Sequence, residues 1–243
     1  MWPFRAFRFI LHILLGLLIV LLLFPLLNET GRINVERWYS RKLLNLFRIT
    51  PVLKGTWQET PALLVLNHVS WLDIFAVNSQ SPSIFIAKSE IATWPLAGKL
   101  VAGAGTIFIE RGRRHAVHKV IKDAEARIRA GRQVAVCPEG TTTDGTGVAP
   151  FHSNMLQAAV NAGVPLIPVA LRYTDETGAL STDPAFVGEQ TMAQNVMLLW
   201  KSPRRYTVTL VPCEPIYHPE WTRHHYAEAC RDAILQRLDE LAG

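Results

Sequence analysis

His68 and Asp73 stand five positions apart in VLNHVSWLDIF (65–75), a run whose other members are mostly apolar. A turn and the start of a helix after His68 can return the Asp73 carboxylate to the imidazole. A carboxylate on one ring nitrogen fixes the tautomer and leaves the other nitrogen free to accept a proton. It also stabilises the imidazolium that forms. Ser70 lies between the two and offers a nucleophile, but Ser70 and Asp73 equally fit a helix capping box with Asp in place of Glu. The chain has no G-x-S-x-G elbow, which favours a base acting on a substrate hydroxyl over a serine nucleophile. A metal site is disfavoured, because helical ligands usually sit at i,i+3 or i,i+4 and no third ligand is evident. The same spacing also occurs in plain structural pairs.

Other polar groups follow apolar runs. Arg111 comes after GTIFIE (105–110), where a guanidinium suits bidentate binding of phosphate or carboxylate, or a salt bridge. Glu139, Gly140, Thr141 and Thr142 follow QVAVCP (133–138). The backbone N–H groups of such a Gly-containing turn can cradle an anion, or the threonines can simply cap the turn. GAGTIF (103–108) lacks the third glycine of a dinucleotide fingerprint.

These groups need strands that end together. Six runs read as strands: 62–67, 83–87, 105–110, 133–138, 165–171 and 206–212. Several are apolar on both faces, as buried strands are. Helical patterns fall near 71–80, 90–101, 114–130, 153–162, 189–200 and 222–241. The alternation predicts an α/β fold, in which ligands gather at the C-terminal edge of the sheet. Residues 174–190 are polar and turn-rich and read as a surface excursion.

Half the residues are apolar and only 19% are charged, which points to a membrane or an unusually apolar site. Up to Lys54 there are eight basic residues against Glu29 and Glu36; the remainder carries seventeen basic and eighteen acidic residues. The excess positive charge thus belongs to the N-terminal segment, which favours anionic lipid headgroups over nucleic acid as a partner. Residues 9–27 hold no formal charge and approach the length that spans a bilayer core. No A-x-A-like cleavage site follows them. Residues 35–48 place Trp38, Tyr39, Leu43 and Phe47 on one helical face, as in a helix lying among headgroups with Trp and Tyr as interfacial anchors, or in one docked on the folded body. Pro25, Asn28 and Gly31 permit a bend, so both a spanning helix and a re-entrant hairpin are open. Cys137, Cys213 and Cys230 lack C-x-x-C spacing and read as buried apolar residues of a reducing compartment.

Taken together, NHVSWLD (67–73), FIER (108–111), CPEGTT (137–142) and VPLIPVA (164–170) resemble, in order and spacing, the four motifs of the glycerolipid acyltransferases, which include 1-acylglycerol-3-phosphate acyltransferases. The resemblance covers about residues 50–215. It implies a mixed β-sheet flanked by helices over 51–243, with residues 1–50 as a membrane anchor. It implies His68 as general base, Asp73 as its orienter and Arg111 as holder of the acceptor's phosphate. Glu139, Gly140 and Thr141 would shape the acceptor pocket. AKSE (87–90) adds Lys88 as a weaker headgroup contact.

The implied reaction moves a fatty acyl chain from a thioester to the free hydroxyl of 1-acyl-sn-glycerol-3-phosphate, giving phosphatidic acid. The donor is acyl-CoA or acyl-carrier protein, with no cofactor or metal and no nucleic acid partner. The expected location is the cytoplasmic membrane, with the folded body facing the cytoplasm. Two positions depart from the motifs. Cys137 stands for the usual Phe, and Thr142 for the usual Arg, which removes a cation from the acceptor site. The latter keeps a lyso-ornithine lipid O-acyltransferase in contention. A thioesterase or lipase, and a non-catalytic lipid-transfer protein, are the rival classes.

Overall fold

The computed structural model describes residues 2–58, 60–110 and 114–243. Seven strands form one mixed sheet in the order β1-β7-β6-β2-β5-β3-β4. They are β1 (Ile49–Leu53), β2 (Leu63–Leu66), β3 (Ile84–Lys88), β4 (Ile107–Ile109), β5 (Val134–Val136), β6 (Leu166–Thr174) and β7 (Tyr206–Pro212). β6, β2, β5, β3 and β4 run parallel, and β7 reverses against β6. Their C-terminal ends therefore share one edge.

Alternation along the strands divides the core between the two faces of the sheet. Leu64, Leu66, Ala135, Val169 and Tyr173 point to one face. There they meet α2 (Glu29–Leu46), α3 (Asp73–Asn78) and α7 (Met192–Lys201). Leu63, Val65, Val134, Val136 and Leu166 point to the other. They pack on α5 (Arg114–Arg129), α6 (Gln157–Ala162) and α8 (Arg223–Glu240). Burial on both faces explains why these strands read as continuous apolar runs.

Five of the six predicted strands differ from the observed ones only at their ends, and 206–212 matches throughout. β1 escaped the sequence reading because Pro51 interrupts it. It is an edge strand, where a missing N–H is tolerated. The predicted helix 90–101 is divided at Pro95 into a 3₁₀ turn (Ser89–Thr93) and α4 (Ala97–Gly103). Residues 174–190 are more than a surface excursion. They fold back so that the Phe186 N–H donates to the Val69 carbonyl at 2.9 Å and Ala185 is buried.

α1 (Trp2–Leu18) continues through a π turn and a 3₁₀ turn to Leu26. Within it Phe4–Leu26 is, among the described residues, the one helix long and apolar enough to cross a membrane. α1 turns back along α2: His12 stacks on Tyr39 with ring centroids 4.0 Å apart, and the Tyr39 hydroxyl donates to the His12 carbonyl. Phe9 meets Phe47 and Trp200 edge-on at 5.6 and 5.5 Å. Tyr39, expected as an interfacial anchor, is therefore buried, as are Leu43, Leu44 and Phe47. Trp38 remains exposed. α2 belongs to the core of the body, so the expected anchor and body segments share buried residues across position 50.

One side chain extends the sheet beyond β2. The Asn67 amide is buried, accepts from the Leu171 N–H at 2.8 Å and donates to the Leu171 carbonyl at 2.9 Å. It thereby replaces a strand backbone opposite β6 just before His68. Asn67→Ala should cost about 2–4 kcal/mol, because two buried peptide groups lose their partner. Equilibrium urea unfolding in detergent measures this. A loss under about 1 kcal/mol would mean that water takes the amide's place.

Candidate active site

β2 delivers His68 to the C-terminal edge, and a turn returns Asp73 beneath it as the first residue of α3. His68 Nδ1 lies 2.9 Å from Asp73 Oδ2. The carboxylate is wholly buried, a position that is costly for a charge unless it is saturated with donors. It is so supplied. Oδ2 also accepts from the Val69 and Ser70 N–H groups at 2.8 and 2.9 Å, and Oδ1 accepts from the Tyr173 hydroxyl at 2.8 Å. The Asp73 carboxylate thus reaches back to the Ser70 N–H, but α3 is capped at Leu72 without a side-chain bond, so no full capping box forms. The Ser70 hydroxyl accepts from the Leu72 N–H and is fully buried, away from any substrate.

The loop after β5 clamps His68 from the other side. Glu139 is buried with both oxygens engaged: Oε1 accepts from the His68 N–H at 2.6 Å and Oε2 from the Ala149 N–H at 2.7 Å. The Thr143 N–H donates to the His68 carbonyl at 2.8 Å. Both backbone polar groups of His68 are thus held by one loop. That loop is tied to α8 by Arg231, which donates to the Val148 carbonyl at 2.7 and 3.2 Å and to the Ala149 carbonyl at 3.2 Å. Gly140 takes φ +73° at the turn, a region open to glycine, and Thr141 is exposed on it. The Thr142 hydroxyl donates to the Phe186 carbonyl and ties the 174–190 segment to the same loop.

Lys88 ends β3 on the same edge, exposed and paired in register with Ile109 of β4. Arg111 follows β4 but lies outside the described residues. The sequence-predicted groups therefore divide into a tight centre of His68, Asp73 and Glu139, with Gly140 and Thr141 on its rim, and Lys88 further along the edge. Tyr173, Thr143, Ala149 and Arg231 were not singled out from the sequence. Tyr173 was findable, since it alternates with Leu171 on β6 and a buried Tyr hydroxyl needs a partner. Arg231 carries no local signal.

The electrostatics follow from this packing. Burial disfavours the imidazolium, but the Cys137 side chain beside the ring and the Asp73 carboxylate outweigh it, holding His68 well above its ordinary pKa. Glu139 is also raised: burial pushes it up, against hydrogen bonds from Ala149 and His68. Because the folded state favours charged His68, the pair's contribution to stability is complete below about 6.5 and is lost as pH rises through the folded-state value.

A family profile described as Acyltransferase matches residues 34–172. Over 124 residues the chain is 43% identical to a 1-acyl-sn-glycerol-3-phosphate acyltransferase of Neisseria gonorrhoeae, covering 51% of this chain and 49% of that protein. The match thus spans about half the length of that relative. A lyso-ornithine lipid O-acyltransferase of Pseudomonas aeruginosa is 32% identical over 208 residues, 85% of this chain and 79% of that one. In fold, the chain is similar to the crystal structure of the 1-acyl-sn-glycerophosphate (LPA) acyltransferase PlsC from Thermotoga maritima. That likeness has a TM-score of 0.69 at 20% identity and covers 98% of this chain and 97% of the other. A mixed sheet with a His–Asp pair at a strand exit defines the class as an α/β protein with a base candidate at the C-terminal edge of its sheet. Within that class, this chain belongs to the Acyltransferase family.

The geometry makes the imidazole's affinity for protons depend on Asp73. In Asp73→Asn the amide nitrogen cannot accept the hydrogen bonds that Oδ2 accepts, and the negative charge is gone. NMR titration of His68 should give a value above 6.5 in the native protein and a clearly lower one in Asp73→Asn. An unmoved titration would assign the raised affinity to some other group.

Proposed function

We propose that the chain is a membrane-associated O-acyltransferase that moves a fatty acyl group from an acyl thioester to the free hydroxyl of 1-acyl-sn-glycerol-3-phosphate. The observation that carries the reading is the 2.9 Å contact between His68 Nδ1 and the buried Asp73, at a strand exit inside the segment that matches the Acyltransferase family. Asp73 holds Nδ1, so Nε2 faces the substrate. His68 accepts the hydroxyl proton as the oxygen attacks the thioester carbonyl, and returns it to the leaving thiolate. Glu139 holds the His68 backbone and sets the loop that carries Gly140 and Thr141 at the rim. Lys88, at the end of β3, and Arg111, which follows β4 in the sequence, bind the acceptor headgroup. The donor is acyl-CoA or acyl-carrier protein, and the proton transfers need no further cofactor.

The membrane part of the reading is supported by α1 and the π turn that continues it, whose Phe4, Phe7, Ile10, Leu14, Leu18 and Leu22 are exposed apolar side chains. Such a row is stable against lipid rather than water. Its docked opposite face favours a helix lying in one leaflet of the cytoplasmic membrane over one that leaves the body to span it.

His68→Ala should lower turnover ~10²–10⁴-fold with the fold retained, since it removes the base. Because His68 is held above its ordinary pKa, kcat/KM should rise with pH on a limb above 6.5, where the imidazole becomes neutral. Near-normal turnover by a folded His68→Ala protein would refute this chemistry.

A second acceptor is favoured by one position. Thr142 replaces a motif cation and spends its hydroxyl on Phe186, and a lyso-ornithine lipid O-acyltransferase is the relative that covers 85% of the chain. Competition between lysophosphatidate and lyso-ornithine lipid at equal concentration decides. Lysophosphatidate should be acylated preferentially, and Arg111→Ala should mainly raise its KM. Exclusive acylation of lyso-ornithine lipid would replace the acceptor while leaving the His68–Asp73 chemistry in place.

A further inference from the structure

α1 and α2 do not close completely along their outer side. Between them runs a groove of about 330 Å³, lined by Arg8, Leu11, His12, Leu15, Trp38 and Lys42 among others. A second hollow of similar size continues it toward Arg5 and Arg48 and shares Arg8. The lining of both contains cations and apolar side chains but no carboxylate. Residues 1–28 contain no Asp or Glu at all. Arg5 and Arg48 are near enough to repel one another, and both spend donors on backbone carbonyls, of Trp200 and Pro203 respectively. Arg8 and Lys42 are exposed, and neither is in an ion pair among the described residues.

An independent observation lies within the same groove. His12 is only 7% exposed, and its Nε2 is buried without a hydrogen-bond partner among the described residues. An unsatisfied buried ring nitrogen is costly, and native structures usually supply it with a partner. The groove also opens on the side where Leu11, Leu15 and Trp38 are exposed, continuous with the apolar row of α1.

We propose that this groove binds an anionic phospholipid of the surrounding bilayer, apart from the site at His68. The phosphate sits between Arg8 and Lys42, with His12 beneath it and Arg5 and Arg48 at the far end. The glycerol and the first part of an acyl chain lie along Leu11, Leu15 and Trp38. The chemistry is that of a phosphate monoanion attached to an apolar chain. The cations alone would accept inorganic phosphate, but the apolar floor selects a lipid. The inference rests on the membrane-facing reading of α1 and is independent of the acyl-transfer chemistry.

The full chain is bound to vesicles of phosphatidylcholine alone, and to vesicles that also contain phosphatidylglycerol, which is neither acceptor nor product of the proposed reaction. Flotation measures affinity. The native chain should bind both, with phosphatidylglycerol adding about tenfold or more. Arg8→Gln/Lys42→Gln should lose most of that increment and keep its binding to phosphatidylcholine, which also reports that the hairpin is folded. Arg32→Gln/Arg41→Gln removes the same charge from outside the groove and should keep the increment. Equal losses in the two double variants mean general surface charge and overturn the site. So does an increment that survives Arg8→Gln/Lys42→Gln. Failure of the native chain to bind either vesicle overturns the membrane-facing reading itself. None of these results bears on transfer by His68.

Discussion

The buried carboxylate of Asp73 is the constraint around which the site is arranged. A charge with no solvent contact is tolerated only where its lone pairs are filled, and four donors from three places converge on it. Two come from the turn that it terminates, one from β6 and one from the His68 ring. The same contacts that solvate the carboxylate fix the path of the chain from β2 into α3, the position of β6 relative to β2, and the plane of the imidazole. The geometry of the proposed site and the stability of the fold rest on one group. This explains how a ring that is 23% exposed can be held in one orientation.

Around that centre the fold acts as a set of clamps on backbone rather than on side chains. Asn67 holds Leu171, Glu139 holds the N–H groups of His68 and Ala149, Thr143 holds the His68 carbonyl, and Arg231 holds the loop from α8. Rigid backbone on both sides of the proposed base reduces the motions that would misplace it, the usual structural means of positioning a reacting group. The loop that carries Gly140 and Thr141 is thereby fixed at its ends and open at its tip.

The apolar hairpin of α1 and α2 is joined directly to this centre. Aromatic contacts run from Phe9 of α1 through Phe47 to Trp71 and Phe75, so the apolar N-terminal helix packs through Phe47 onto the segment bearing His68 and Asp73. In the proposed reaction a lysolipid would keep its chain in the membrane while its hydroxyl reaches His68. A short, stiff connection between the apolar helix and the His68–Asp73 segment fits that proposed requirement better than a flexible tether.

Much of this was legible from residue types alone. Continuous apolar runs marked most strands because both sheet faces are covered, and such a run is visible without knowing its partner. His68 and Asp73 were readable as a pair because their contact is local, one turn long. The uncharged N-terminal run was equally plain. What the sequence could not decide is whatever depends on groups distant in the chain. Nothing near Glu139 indicates that both its oxygens close on backbone N–H groups, or that Arg231 on the last helix holds the loop beyond it. Tyr39 reads as an interfacial anchor until α1 folds onto it, and Trp38 beside it stays exposed. β1 is hidden by Pro51 because an edge strand tolerates a residue that an interior strand would reject. Local chemistry and periodicity are properties of neighbouring residues. Burial, hydrogen-bond saturation and the grooves between helices arise only when distant segments share one volume, and there tertiary packing alone decided.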